Sequence, residues 1–118
     1  MASHVSTEPG KLGTGEGALR VIAHVDGHSL YFKKIDKRHK ERVIFITALF
    51  DMQGNFLGGT EGVMDLNLKD ATHAQIAHDG VNAKATLQAP PGTYRLREVI
   101  QEVVGGRVAA STQTVEIH

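Results

Sequence analysis

Residues 90–106 read PPGTYRLREVIQEVVGG, and this stretch decides the fold because it fits both a helix and a strand. The apolar residues with the i, i+3, i+4, i+7 spacing of an amphipathic helix are Leu96, Val99, Ile100, Val103 and Val104. Tyr94, Leu96 and Ile100 instead share the two-residue period of a half-buried strand. Taken alone, the stretch favours neither structure, so the neighbouring segments must decide.

The segments around this stretch have the patterns of β-strands. Residues 42–50 (RVIFITALF) form a continuous apolar run, as expected of a central strand, and DMQGN (51–55) predicts a turn into the FLG segment that follows. Alternating or β-branched patterns predict further strands at 19–25, 63–69, 81–88 and 107–117. The basic segment 33–42 is predicted to be a solvated loop.

One short helix is predicted at 70–79, with Asp70 as its N-cap and Gly80 just past its end. Together with about seven strands, it predicts an all-β fold, a two-sheet antiparallel sandwich. In this context the stretch at 90–106 is expected to be a strand, which leaves Glu98 on the inward face beside Tyr94 and Leu96. A carboxylate there needs a partner or an opening to water.

Four residues mark a corner before this strand: Leu87, Pro90, Gly92 and Tyr94. They resemble the corner between strands E and F of immunoglobulin-like and fibronectin type III-like domains. The resemblance implies a structural role for all four, in which the Tyr94 hydroxyl returns to the backbone just upstream.

A wider resemblance covers about residues 19–117. ALFDMQGNFLGG, VMDLNLKDATHAQIAHDGV and PPGTYRLREVIQEVVGGRVAAST resemble the C-terminal domain of acidobacterial-type von Willebrand factor A-related proteins. The resemblance implies an immunoglobulin-like or fibronectin type III-like accessory domain of a larger extracytoplasmic protein, with no activity of its own. Glu98 departs from the pattern, which has an apolar residue at that position.

Composition limits the function further. The 118 residues suffice for one domain: we expect a flexible N-terminal arm or leader at 1–18 and a single β-sandwich domain at 19–118. The 13 basic and 13 acidic residues cancel, so no overall field favours nucleic acid. No apolar run reaches the length of a membrane span, so we expect no membrane insertion. Without an apolar leader segment, the chain is either cytoplasmic or a piece of an exported parent.

Candidate chemistry is sparse. The absence of cysteine excludes thiolate nucleophiles, thiolate metal sites and disulfides. His24 and His28, and His73 and His78, lack the spacing of strong metal-binding motifs. No carboxylate pair or serine nucleophile motif stands out, so we expect no catalytic residues, no metal ligands and no cofactor.

We therefore expect a non-enzymatic interaction, spacer or assembly module. Its partner would be another protein or a neighbouring domain, or a second copy bound through an edge strand. Candidates for that edge are the stretch after the arm and the Gly-rich FLGGTEG region. The alternative is a small-ligand-binding sandwich with a pocket between the sheets or near the short helix, where His73 and His78 are candidate binding residues. A third possibility is an enzyme whose residues converge from several strands.

Overall fold

The computed structural model describes residues 1–10 and 17–118. Within these ranges the chain has eight strands, one α-helix and a 3-10 turn at Gly27–Ser29. The elements are β1 (Ser3–Pro9), β2 (Ala18–Val25), β3 (Lys33–Ile35), β4 (Arg38–Phe50), β5 (Phe56–Leu68), α1 (Asp70–Asp79), β6 (Val81–Gln88), β7 (Gly92–Glu102) and β8 (Arg107–Ile117). None of the described helices is long and apolar enough to cross a membrane.

The strands form two antiparallel sheets that stack into a sandwich, which confirms the predicted all-β fold. The smaller sheet has the order β1-β2-β6. In the larger sheet β4 pairs with β5 and with β7, β7 pairs with β8, and β3 pairs with the first residues of β4. Contacts between the sheets bring β5 near β6 and β1 near β8.

The stretch at 92–102 is a strand and not a helix. In β7 the side chains of Tyr94, Leu96 and Ile100 are buried, while Arg95 and Arg97 between them are exposed. β7 lies in the interior of the sheet, between β4 and β8, so both of its edges are hydrogen-bonded. Tertiary pairing thus overrides the helical spacing, because a strand in this position satisfies every backbone group while burying one face.

The core between the sheets divides into two apolar clusters. One contains Leu49 of β4 and Leu96 of β7, and the other contains Phe45 and Ile100 of the same two strands. The intervening inward positions are polar, because Thr47 of β4 pairs in register with Glu98 of β7. A buried polar pair therefore separates the two halves of the core.

The N-terminal residues differ from the predicted arm. Ser3–Pro9 forms β1, which pairs with β2 from Ser3↔Val25 to Pro9↔Leu19. This pairing makes β2 the middle strand of its sheet, so the suggestion of an exposed edge just after the arm is wrong. Residues 11–16 of the predicted arm lie outside the described residues.

Two other local predictions need correction. The basic segment 33–42 is a hairpin and not a solvated loop: β3 and β4 are joined by Asp36 and Lys37, both with positive φ (50° and 64°). Two such residues form the tight turn that matches the twist of paired strands. FLG and the strand predicted at 63–69 are one continuous strand, β5, because β4 pairs with it along nearly its whole length.

The short helix lies at its predicted position, but its N-terminus is different. The residue before the helix is Lys69, which makes no side-chain capping bond, and Asp70 is the first helical residue. The Asp70 carboxylate is bonded to His39 instead. At the other end Gly80 has a φ of 77°, and its amide bonds to the carbonyl of Ile76, as expected for a glycine that ends a helix.

Candidate functional site

The longest exposed edge of the sandwich is β5. This strand has 13 residues, and β4 is its only partner strand in the part of the chain that the structure describes. The side chains of Phe56, Leu57 and Val63 are exposed, at 63%, 47% and 54%. The Gly-rich region at 56–62 is thus an exposed edge, as its sequence indicates.

The inward face of β5 has almost no side-chain volume in its first half. Gly58, Thr60 and Gly62 pair with Leu49, Thr47 and Phe45 of β4, so they lie on the face that looks toward the smaller sheet. A Cβ added at Gly58 or Gly62 would meet no heavy atom within 4 Å. The space beside these glycines is therefore open.

This open space continues to β6, the edge strand of the smaller sheet. We call it the β5–β6 groove, and its lining residues are Gly58, Thr60 and Gly62 on β5 and Ala83, Ala85 and Leu87 on β6. Because the smaller sheet ends at β6, no described strand of that sheet fills the position beside it. The groove is a consequence of stacking a narrow sheet on a wider one.

A small cavity opens from the groove into the middle of the core. Its volume is about 60 Å³, and we call it the Glu98 cavity. Its lining residues are Val21, Ala23, Phe45, Thr47, Thr60, Gly62, Ala83, Lys84, Ala85 and Glu98. The walls are mostly apolar, and the cavity lies at the break between the two core clusters.

The Glu98 carboxyl group is buried in this cavity at 2% exposure, and only one of its oxygens is bonded. The hydroxyl of Thr47 donates to Oε2 at 2.6 Å, whereas Oε1 has no hydrogen-bond partner among the described residues. Burial raises the pKa of Glu98 above its usual value, and the bond from Thr47 opposes this shift. The inward direction follows from the strand period of the sequence, and the structure adds the Thr47 partner and the cavity.

The histidines suggested as binding residues do not form a site together. His73 of α1 stacks on His39 of β4 with ring centroids 3.8 Å apart, and the rings of His73 and Phe32 pack in a T-shaped arrangement. Burial lowers the pKa of His73, and the nearby His39 adds to this effect. His78 is 85% exposed and bonds to its neighbour Asp79. His73 therefore packs the helix against the β3–β4 hairpin, and His78 lies at the surface.

The other histidine pair is also divided among different contacts. His24 bonds through Nδ1 to Oδ1 of Asn82 at 2.7 Å, and His28 lies exposed in the 3-10 turn. Across the described ranges, no three His, Asp or Glu side chains are grouped so that they could hold a metal ion.

The corner residues lie where the sequence places them. The hydroxyl of Tyr94 donates to the carbonyl oxygen of Pro90, which is the predicted contact of the corner. Leu87 and Tyr94 are both buried in the same core cluster, and a Cβ added at Gly92 would lie within 3.7 Å of the Tyr94 ring. These residues fix the path of the chain from β6 to β7 and lie apart from the cavity.

Two further buried carboxylates hold the turn between β7 and β8, and the sequence reasoning missed both. Glu41 accepts bonds from the amides of Val104 and Gly105, at 2.7 and 3.1 Å. Glu102 accepts two contacts from the guanidinium of Arg107, at 2.6 and 2.7 Å. Their inward direction could have been found from parity, because each lies two residues from a buried apolar residue on its own strand. Both have donors, so within residues 1–10 and 17–118 Glu98 is the buried carboxylate with a free oxygen.

No family model matches this chain, and none of the curated proteins matches it either. The fold and the site geometry therefore carry the functional argument.

Proposed function

We propose that this chain is a non-enzymatic interaction module with an immunoglobulin-like or fibronectin type III-like sandwich. It binds an extended segment of a partner protein in the β5–β6 groove, where the segment pairs with the free edge of β5. The observation that carries the proposal is this edge, 13 residues long with a groove beneath it. Strand addition of this kind uses main-chain hydrogen bonds for affinity and side-chain pockets for specificity.

The other sheet edges are less suited to accept a strand. β1 has seven residues and ends at Pro9, and β6 has Lys84 in its middle. β8 is contacted by β1, where Gln113 Nε2 donates to the carbonyl of Val5 at 3.4 Å. Natural edge strands are protected by short length, proline, lysine or coverage, and β5 contains neither proline nor lysine. The edge of β5 lacks these two protections and is exposed, which supports a role of this strand in binding.

The partner is another protein or a neighbouring domain of a larger extracytoplasmic protein. The Tyr94–Pro90 corner and the resemblance of residues 19–117 to domains beside von Willebrand factor A domains support this assignment. An alternative occupant is β5 of a second copy, which would give a symmetric dimer through the same edge.

The test uses displayed peptides as probes. Random 12-residue peptides are selected on the immobilised chain, and hydrogen exchange locates the site of each enriched peptide. The blocking variant is Gly62→Val, which places two methyl groups in the open space of the groove without meeting β4. The matched control is Ala110→Val on β8, an exposed position on another edge.

We expect enriched peptides to slow exchange of the β5 amides and to lose at least tenfold in affinity with Gly62→Val, while Ala110→Val binds as the wild type does. Equilibrium sedimentation tests the dimer alternative. Self-association that competes with the peptides would identify a second copy as the occupant. Peptides that protect strands other than β5 and β6, or no enrichment at all, would show that β5 is not a strand acceptor.

A further inference from the structure

The Glu98 cavity has a feature that strand pairing alone does not explain. In the part of the chain that the structure describes, its single free acceptor is Oε1 of Glu98, while Oε2 is bonded to Thr47 at 2.6 Å. The surrounding walls are the apolar side chains of Val21, Ala23 and Phe45. A carboxyl group in such surroundings either keeps its proton or, when ionised, takes a hydrogen-bond donor or a countercharge, because burial of an unpaired charge is strongly unfavourable.

The countercharge is not supplied from within the cavity. Among the residues that line it, the only ionisable groups are Glu98 and Lys84. Lys84 lies on the exposed face of β6, where it alternates with the inward Ala83 and Ala85. Burial is the main cause that raises the pKa of Glu98. The site thus has one acidic group and an opening toward the groove.

The size of the cavity restricts what can enter. The cavity is small, about 60 Å³, so a ligand enters it end-on rather than whole. The end of a linear aliphatic amine is narrower than a planar guanidinium or an aromatic ring, so it is the basic group that matches this space best. Thr60 and Gly62 of β5 form the wall of the cavity on the side of the groove, so a side chain that lies in the groove can approach the opening.

Resting on the proposed function, we propose that the partner segment inserts a lysine side chain into the Glu98 cavity, where its ammonium group donates to Oε1 of Glu98. The lysine fixes the register of the bound strand, because only one of its residues can occupy the cavity. Strand pairing supplies sequence-independent affinity, and the cavity supplies the choice of one basic residue.

The test has two arms, which distinguish the two possible ligands of the cavity: a lysine side chain of a partner protein and a free amine. In the first, the ¹³C signal of the Glu98 carboxyl group is followed while n-butylammonium chloride or n-butanol is added to the protein. In the second, a peptide enriched on β5 is compared with its Lys→norleucine version, which keeps the alkyl chain and removes the charge. Glu98→Gln is the matched variant, since it keeps the shape and removes the charge of the acceptor.

We expect butylammonium to move the Glu98 signal and lower its titration midpoint, and butanol to do neither. Replacing the lysine of the peptide by norleucine should weaken binding at least tenfold, and so should Glu98→Gln in the protein. The norleucine peptide should bind the Glu98→Gln variant no more weakly than it binds the wild type, because both changes remove the same contact. Peptides that bind β5 without a lysine, or that bind norleucine equally well, would overturn the lysine inference and leave strand pairing intact. A Glu98 signal that responds to neither the amine nor the peptide would identify a hydration cavity only and overturn it as well.

If butylammonium binds but the selection yields no peptide that binds β5, the proposed function is contradicted. The ligand would then be a free amine. The two proposals therefore fail on different observations.

Discussion

Replacing Glu98 by glutamine should stabilise the fold, and the gain should depend on pH. Glutamine has the same shape and can accept the bond from the Thr47 hydroxyl, which lies 2.6 Å from Oε2. It removes the negative charge that the apolar cavity does not balance. The substitution therefore tests directly whether the second carboxylate oxygen is unsatisfied.

The magnitude follows from the single free oxygen. A buried acceptor without a donor destabilises a fold by about 1–3 kcal/mol, and a charged one by at least as much. Burial raises the pKa of Glu98, so the folded chain retains the proton at pH values where the unfolded chain has released it. Stability therefore falls as the pH rises from about 4.3, the ordinary value of glutamic acid, through the folded-state pKa, and the loss is complete above it.

We expect Glu98→Gln to raise the free energy of unfolding by about 1–3 kcal/mol at pH 8, with a difference below about 0.5 kcal/mol at pH 4. Urea unfolding followed by far-UV circular dichroism at a series of pH values measures this difference. Glu116→Gln, on the exposed face of β8, is the control and should change neither value appreciably. A variant that is less stable than the wild type at pH 8, or a gain that is the same at both pH values, would refute the account of Glu98.

Two further substitutions test the chain path. Tyr94→Phe removes the hydroxyl that donates to Pro90, and urea unfolding should show a loss of about 1–2 kcal/mol with an unchanged m-value; an unaltered midpoint would mean that this corner contact does not contribute to stability. Gly80→Ala should destabilise by more than about 1 kcal/mol, because φ is 77° and the new Cβ would lie 2.4 Å from the carbonyl oxygen of Val25. Equal thermal midpoints for this variant and the wild type would contradict the tight approach of α1 to β2.

The strands with alternating side chains could be predicted from the sequence because their pattern is local. β6 and β8 begin and end where the period-two segments do, at 81–88 and 107–117. β1 was missed because SHVSTEP has one large apolar residue, Val5, and it becomes a strand by pairing with β2. The sequence pattern divides β5 into two segments at its glycines. These glycines are extended in the structure because they pair with the buried strand β4.

The site was less predictable, because it depends on residues that are distant in the sequence. The strand period places Glu98 on the inward face, but its partner Thr47 is 51 positions away, so the bond between them is visible only in the structure. The cavity arises where Gly62 on β5 lies opposite Ala83 and Ala85 on β6. Each is an ordinary small residue in the sequence, and only the stacking of the two sheets brings them together.

The pairing of β1 with β2 has a mechanical consequence. The carbonyl of Ala2 bonds to Asp26 past one end of β2, and the carbonyl of His118 bonds to Gly17 just before its other end. The two chain termini therefore lie beside opposite ends of β2. A tension applied between them runs along β1 and β8, nearly perpendicular to their hydrogen bonds with β2 and β7. Such bonds are loaded in shear and must break together rather than one after another, so the module would transmit a pulling force along its length without unzipping.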